Sequence, residues 1–427
     1  MISIEEALEK ILALVSVLPP EVKPPLDALG QVLDEDISAE FDVPPLANSG
    51  MDGYAVRAED TTEATEGNPR ELRVVGEVAA GYVYGGSVAA GTAVRIMTGA
   101  PIPDGADAVV PFEETDEPFD SPPKQTGAVA ATVRVFKAAR PAANVRAAGE
   151  DIKAGARVLR RGAVLRPPEV AVLASLGKNS VRVIRRPRVA VLSTGDELLE
   201  PGEERTGAYI YDANAYGVAA LISRFGGEPL LLGIAKDTIE DLTEKIHEGL
   251  AADLLVTSAG VSRGDYDVVK EVLAREGEVA FWTVAMKPGK PLAFGSFSHN
   301  GRRVPHLGLP GNPVSSLVAF EIFGRPAILK MMGKTDFRRP SVQAIAEERI
   351  ANAGDPRAYM ARCLVTERDG TYYVRLAGSQ SSGALSSLAR ANGLTVIPAE
   401  VDAVEAGETV EVMMLDWTRG EDSGSSL

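Results

Sequence analysis

Strands alternating with helices over residues 186–334, flanked on both sides by short strands and Gly/Pro turns, predict a multidomain α/β protein. Its centre is expected to be a doubly wound, three-layer α/β domain, and its flanking domains to be β-rich. Length agrees: 427 residues exceed one ordinary core, since domains run to roughly 150 residues each.

The amino terminus, MISIEEALEKILALVSVL, carries apolar residues at helical spacing behind early acids. It reads as a surface amphipathic helix rather than a signal peptide. Residues 71–81, 91–115, 131–139 and 153–167 are short β-rich pieces between turns, the texture of antiparallel sheet and barrel-like modules. The Pro-rich segment 116–128, DEPFDSPPKQTGA, reads as a hairpin loop. Pro167 and Pro168 open a helix, EVAVLASLG, which Gly177 stops. From residue 186 the texture changes. RPRVAVLST, EPLLLGIA and DLLVTS are strand patterns, and NAYGVAALISRFGG and TIEDLTEKIHEGLAA are helices between them. The alternation continues to residue 334 and argues a parallel, doubly wound sheet. A basic link, KTDFRRP, leads to a small β domain over 335–420, and the tail EDSGSSL (421–427) is expected to be disordered.

With 60 acidic residues against 44 basic ones, the net charge is −16. A field of that sign disfavours nonspecific binding to nucleic acid or anionic membranes, while leaving room for a local basic pocket. Cys363 is the only cysteine, so no disulfide framework or cysteine metal cluster is expected. His247, His299 and His306 show no metal-ligand spacing. Any metal would then be held by oxygens, which favours Mg²⁺ over Zn²⁺. No segment approaches the ~20 apolar residues that span a bilayer, and the chain reads as cytoplasmic.

In α/β sheets, ligands sit outside the carboxyl ends of the strands. The loops expected there are STGDEL (193–198), Lys236-Asp237, TSAGVSRGDYD (257–267), KPGKP (287–291) and PGNPVSS (310–316). Each alone has a plain structural reading. Asp196 or Glu197, Asn312 with Ser315, and Asp265 with Asp267 all suit helix caps and first turns. Lys287 and Lys290 suit a solvated turn. Together they set acids, ammonium groups and anion-binding turns at one end of one sheet. That combination describes a phosphorylated ligand with a divalent metal, because carboxylates hold the cation and the cation holds phosphate oxygens. The Walker and G-x-G-x-x-G patterns are absent.

These residues also carry a resemblance. PPLANSGMDGYAV (44–56), GEVAAG with RIMTGAPIPDGADAVVPFEE (76–114), NVRAAGEDIKAG (144–155), STGDEL, TSAGVSRGDYD, AMKPGKP, GLPGNPVSS and AGSQSSGALSSLARANGLTVIP (377–398) follow one another in order. In that order they resemble the molybdopterin molybdenumtransferase family, which includes the carboxy-terminal domain of gephyrin. Gly50, Ala259 and Thr238 depart from the residues usual there. The first 185 residues accordingly divide into a discontinuous domain, 1–45 with 146–185, and an inserted β-rich domain, 46–145.

The resemblance implies an elongated, L-shaped subunit in a homodimer and the insertion of molybdate into adenylylated molybdopterin, with Mg²⁺-dependent release of AMP. It implies that Asp52, Asp151, Glu197, Asp237, Asp265 and Asp267 serve metal and pterin, Asp52 and Asp151 being lent by the partner. It gives Ser262, Lys287 and Lys290 to the pyrophosphate and the oxyanion, and makes Thr194, Pro288, Asn312 and Ser315 part of the same seat. Arg362 and Ser382 match positions linked to molybdate, with Arg357 a nearby alternative. An adenylyltransferase that supplies the substrate is an expected partner. Two other readings stay open: an adenylyltransferase acting on molybdopterin itself, and a binding scaffold.

Overall fold

The computed structural model describes residues 1–117, 131–258, 268–352 and 354–417. Two compact units share the chain. One comprises Met1–Val22, Gly30–Asp34 and everything from Arg182 onward; the other comprises Lys23–Leu29 and Glu35–Val181. Most of the Pro-rich segment 116–128, the tail, and Ser262, Asp265 and Asp267 of the GDYD loop lie outside the described residues.

The first unit is built on a six-stranded sheet. Its strands are β1 (Arg188–Thr194), β2 (Glu228–Ala235), β3 (Leu254–Ser258), β4 (Gly277–Thr283), β5 (Pro291–His299) and β6 (Arg302–Leu309), in the order β2-β1-β3-β6-β5-β4. Side chains alternate across a strand, and β1 shows where they go. Val189 and Val191 join the core on one face, with Ala215, Val218 and Ile222 of helix α1 (Ala213–Phe225). Ala190 and Leu192 join the core on the other, with Leu242 and Ile246 of α2 (Ile239–Gly249) and Val272 and Leu273 of α3 (Val268–Glu276). Helices α4 (Pro313–Ala319) and α5 (Arg325–Met331), joined through a π-helical turn, complete the first face. These are the three layers that the strand–helix alternation predicts. The amino-terminal helix Ile4–Leu14, capped by Ser3, buries Ala7 and Ile11 against the same face.

The sheet is mixed rather than wholly parallel, because β5 runs antiparallel to both β4 and β6. The reason is local. β5 and β6 are joined through Asn300-Gly301, both at positive φ (49° and 76°). Such an Asn-Gly turn makes a hairpin and cannot carry a parallel crossover. Since β5 reverses twice, β4 still runs with β1, β2, β3 and β6, and the loop after β4 opens at the same end as theirs.

His306 stands fully buried within β6. Its Nε2 lies 3.0 Å from Thr257 Oγ1, and its ring meets Phe297 edge-on. Burial pushes its pKa down to about 3 from an ordinary 6.5. The unfolded chain therefore takes up a proton below about pH 6.5 that the folded imidazole refuses, and stability falls as pH drops from there towards 3. The expected loss is about 2 kcal/mol between pH 6.5 and 5, at about 1.4 kcal/mol per pH unit. Denaturant melts of wild type and His306→Gln across that range check it; the variant's stability should depend less on pH by that amount.

The carboxy-terminal domain closes on itself. Strands β7 (Ser341–Ala346), β8 (Ala358–Arg368), β9 (Thr371–Leu376), β10 (Gly393–Ile397) and β11 (Thr409–Met414) follow the order β8-β9-β7-β11-β10, and β10 pairs back onto β8. Helix α6 (Leu385–Arg390) lies between β9 and β10 in the chain. Met286 and Lys287, beyond β4, pair in parallel with Ala358 and Tyr359 of β8. The Val314 N–H of α4 donates to the Ser382 carbonyl at 3.1 Å. These two links bring the β domain against the strand-end loops of the α/β sheet.

The second unit holds a five-stranded sheet in the order 108–111, 53–56, 92–96, 70–78, 132–135. Gly53 opens the strand 53–56 between 108–111 and 92–96, where a Cβ would sit 2.0 Å from the Val110 carbonyl oxygen. Among the described residues no helix is long and apolar enough to cross a membrane.

Candidate functional site

Within the first unit, the strand-end loops and the β domain enclose a cleft of about 710 Å³. Thr194 and Glu197 reach it from the end of β1, Ser258 from β3, Lys287, Pro288 and Lys290 from the β4–β5 loop, and Asn312 and Ser315 from the loop and first turn after β6. The β domain adds Arg357, Tyr359, Gln380 and Ser382. The loop KPGKP turns through Gly289 at φ 106°, a backbone that side-chain-bearing residues rarely adopt. Its far end is tied by the Val284 N–H, which donates to the Lys290 carbonyl at 2.8 Å.

The three cations differ in how far they are already engaged. Arg357 holds Asp355 in a two-pronged pair at 2.7 and 2.5 Å. That hydrogen-bonded pairing, with Lys287 further off, keeps the Asp355 carboxyl below its ordinary pKa. Lys287 Nζ stands 3.6 Å from Oδ2 of the same carboxylate, the oxygen that Arg357 Nη2 also holds, and 5.0 Å over the Tyr359 ring. Lys290 is exposed and has no ion pair among the described residues. On the acidic side, Glu197 is exposed and its carboxylate has no hydrogen bond among the described residues. Asp212, the N-cap of α1, lies in the cleft wall as well.

The other expected residues fall elsewhere. Arg362 does not line the cleft. It is fully buried beneath the loop that carries Gln380 and Ser382, with Nη2 donating to the Ser379 and Ser381 carbonyls at 2.9 and 3.0 Å and Nε to Ser387 Oγ at 3.2 Å. Asp237 sits in the β2–α2 turn outside the cleft, its N–H 3.3 Å from Asp196 Oδ1. Asp52 and Asp151 belong to the second unit. Asp52 Oδ1 accepts from both Oγ1 and N–H of Thr98 at 2.6 Å, and those bonds, side chain first, hold its pKa below the ordinary value. Asp151 is exposed, its N–H donating to the Val43 carbonyl at 3.1 Å.

Asp212, Asn214, Tyr359 and Gln380 in the cleft were not singled out from the sequence. The stretch YDAN (211–214) signals an N-cap directly ahead of a helical pattern, and nothing local says that the cap also walls a cleft.

The chain matches three family descriptions in succession. Residues 2–177 match the MoeA N-terminal region (domains I and II), 190–330 a probable molybdopterin binding domain, and 343–415 the MoeA C-terminal region (domain IV). It is 37% identical over 419 residues to molybdopterin molybdenumtransferase 2 of Mycobacterium tuberculosis, covering 96% of this chain and 99% of that one. To the molybdopterin molybdenumtransferase of Haemophilus influenzae it is 37% identical over 388 residues, covering 90% and 91%. The crystal structure of the molybdopterin biosynthesis moeA protein from Pyrococcus horikoshii OT3 superposes with a TM-score of 0.77 at 32% identity, over 97% of this chain and all of that one. The cleft thus lies where the region that matches a probable molybdopterin binding domain meets the carboxy-terminal region that follows it, and the chain belongs to the MoeA family.

Proposed function

We propose that the protein is a molybdopterin molybdenumtransferase, inserting molybdate into adenylylated molybdopterin with Mg²⁺-dependent release of AMP. The observation that carries this is the asymmetry of the cleft. Lys290 offers an ammonium group with no ion pair among the described residues, beside Lys287 and Arg357, in the module whose family is described as molybdopterin-binding. Phosphate and molybdate are both oxyanions that such donors hold. As the AMP bond breaks, charge grows on phosphate oxygens, and fixed ammonium groups beside them stabilise it more than they stabilise the bound substrate. Asn312, Ser315 and Ser382 add polar groups to the same seat.

Among the described residues no three His, Cys, Asp or Glu side chains come together as a metal cage, so a divalent ion here would rest on Glu197 together with waters and the substrate's own phosphates. Glu197 lines the cleft with no hydrogen bond to its carboxylate among the described residues, and Mg²⁺ is commonly held by one or two carboxylates, waters and substrate phosphates. Bound there, Mg²⁺ would supply further neutralisation of phosphate charge. Asp265 and Asp267, outside the described residues, are the other expected ligands from the same chain. In a homodimer, Asp52 and Asp151 of a second copy would complete the acidic set. An adenylyltransferase in the cytoplasm would supply the substrate.

Adenylylated molybdopterin, molybdate and Mg²⁺ incubated with the protein should yield AMP and molybdenum cofactor, and omission of molybdate or chelation of Mg²⁺ should stop the reaction. Adenylyl transfer from ATP to molybdopterin, with no need for molybdate, would overturn the assignment.

A further inference from the structure

We propose that Asp212, helped by Asn214, reads the amino-pyrimidinone edge of the pterin ring. This rests on reading the cleft as the seat of adenylylated molybdopterin, and names the wall that takes the ring. Asp212 is 3% exposed, and its Oδ1 accepts from the Ala215 N–H at 3.0 Å as the cap of α1. Its Oδ2 is buried with no hydrogen-bond partner among the described residues. Asn214 is 9% exposed. Its Nδ2 donates to Ser258 Oγ at 2.7 Å and to the Gly311 carbonyl at 2.8 Å. A carbonyl only accepts, so the nitrogen must face Gly311 and the amide oxygen is the atom left over. That Oδ1 too is buried and unpartnered among the described residues. Both residues line the cleft.

Two orphaned acceptors at one helix head call for a ligand edge made of donors, since a buried acceptor without one is destabilising. The parts of the adenylylated substrate differ in this respect. Phosphates and molybdate present only acceptors and negative charge. Adenine presents one exocyclic amine flanked by ring nitrogens that accept. The 2-amino-4-oxopyrimidine ring of a pterin presents N3–H and the 2-amino group side by side. That pair meets a carboxylate as a guanidinium does, through two parallel N–H···O bonds. Asp212 Oδ1 keeps lone pairs beyond the one its cap uses.

Binding of 6-hydroxymethylpterin, of 6-hydroxymethyllumazine, which has a carbonyl where the pterin has its 2-amino group, and of AMP tests this by fluorescence and calorimetry. Wild type should prefer the pterin to the lumazine by about 10- to 100-fold. Asp212→Asn keeps a capping oxygen for α1 but sets an NH₂ where Oδ2 was, so it should lose that preference while its melting temperature and AMP affinity hold. A wild type that binds both pteridines alike or neither, or a preference that survives in Asp212→Asn, overturns the proposal. The molybdate-dependent AMP assay separates the parent reading. Turnover without pterin preference leaves that reading standing and removes this one; absence of both AMP release and pterin binding removes both.

Discussion

Lys290→Ala is expected to lower molybdate-dependent AMP release by about 10²- to 10³-fold, the effect of removing one fixed donor from a site of developing negative charge. The neighbouring cations explain why this lysine should matter most. Arg357 is committed to Asp355, and Lys287 shares that carboxylate while lying over Tyr359. Part of their charge is already answered inside the protein. Lys290 has no ion pair among the described residues, so its ammonium is the one whose charge a phosphate or molybdate oxygen would meet in full. Its backbone is held by the Val284–Lys290 hydrogen bond and by the turn at Gly289, neither of which needs the side chain. Being exposed, the side chain can go without leaving a cavity. The melting temperature should therefore stay near that of wild type, and the loss should fall on kcat/KM. Lys287→Ala should cost less, because Asp355 would keep Arg357 as its partner. Lys290→Ala retaining activity within about threefold of wild type would remove Lys290 from the charge-stabilising role.

The position of Lys290 was legible in the sequence, and that of its neighbours only in part. Strand patterns such as RVAVLST and DLLVTS are buried on both faces and bounded by turns, so the sheet and the loops at its carboxyl end could be read locally. The direction of β5 was also written locally, in Asn300-Gly301, but the strand–helix alternation around it argued for a parallel sheet. The pairing of Met286-Lys287 with Ala358-Tyr359 joins segments about seventy residues apart and leaves no periodic trace in either. That pairing is what sets Arg357 and Tyr359 beside Lys287. Asp212 shows another limit. An Asp ahead of a helix is fully explained by capping, and only the orphaned second oxygen in the folded chain shows that capping does not use the whole side chain.

Arg362, matched by sequence to a molybdate position, lies buried behind the cleft wall instead of lining it, and Arg362→Met should destabilise the carboxy-terminal domain by about 2–4 kcal/mol. In β8 its backbone is clasped by Gln380, whose Oε1 accepts from the Arg362 N–H and whose Nε2 donates to the Arg362 carbonyl. Its guanidinium, fully buried, satisfies two carbonyls of the 379–381 loop and one serine hydroxyl. Burial draws its pKa down from the ordinary value, as expected where no carboxylate among the described residues answers the charge. Methionine fills much of the volume but donates nothing, so the Ser379 and Ser381 carbonyls lose their partner, and Ser387 loses one of the two bonds its hydroxyl makes. Lysine keeps the charge but cannot span both carbonyls with the planar fork of arginine, and should recover only part of the loss. If Arg362 acts by holding the loop, both variants should lower the unfolding temperature of this domain and speed amide exchange over residues 379–382. Molybdate affinity should then fall in proportion to that loosening, because Gln380 and Ser382 leave their places in the cleft wall. If Nη1, buried without a partner among the described residues, instead meets the oxyanion directly, molybdate affinity should collapse in Arg362→Lys even where exchange in the loop stays slow. Stability and exchange measured together on the two variants decide between holding the loop and touching the substrate.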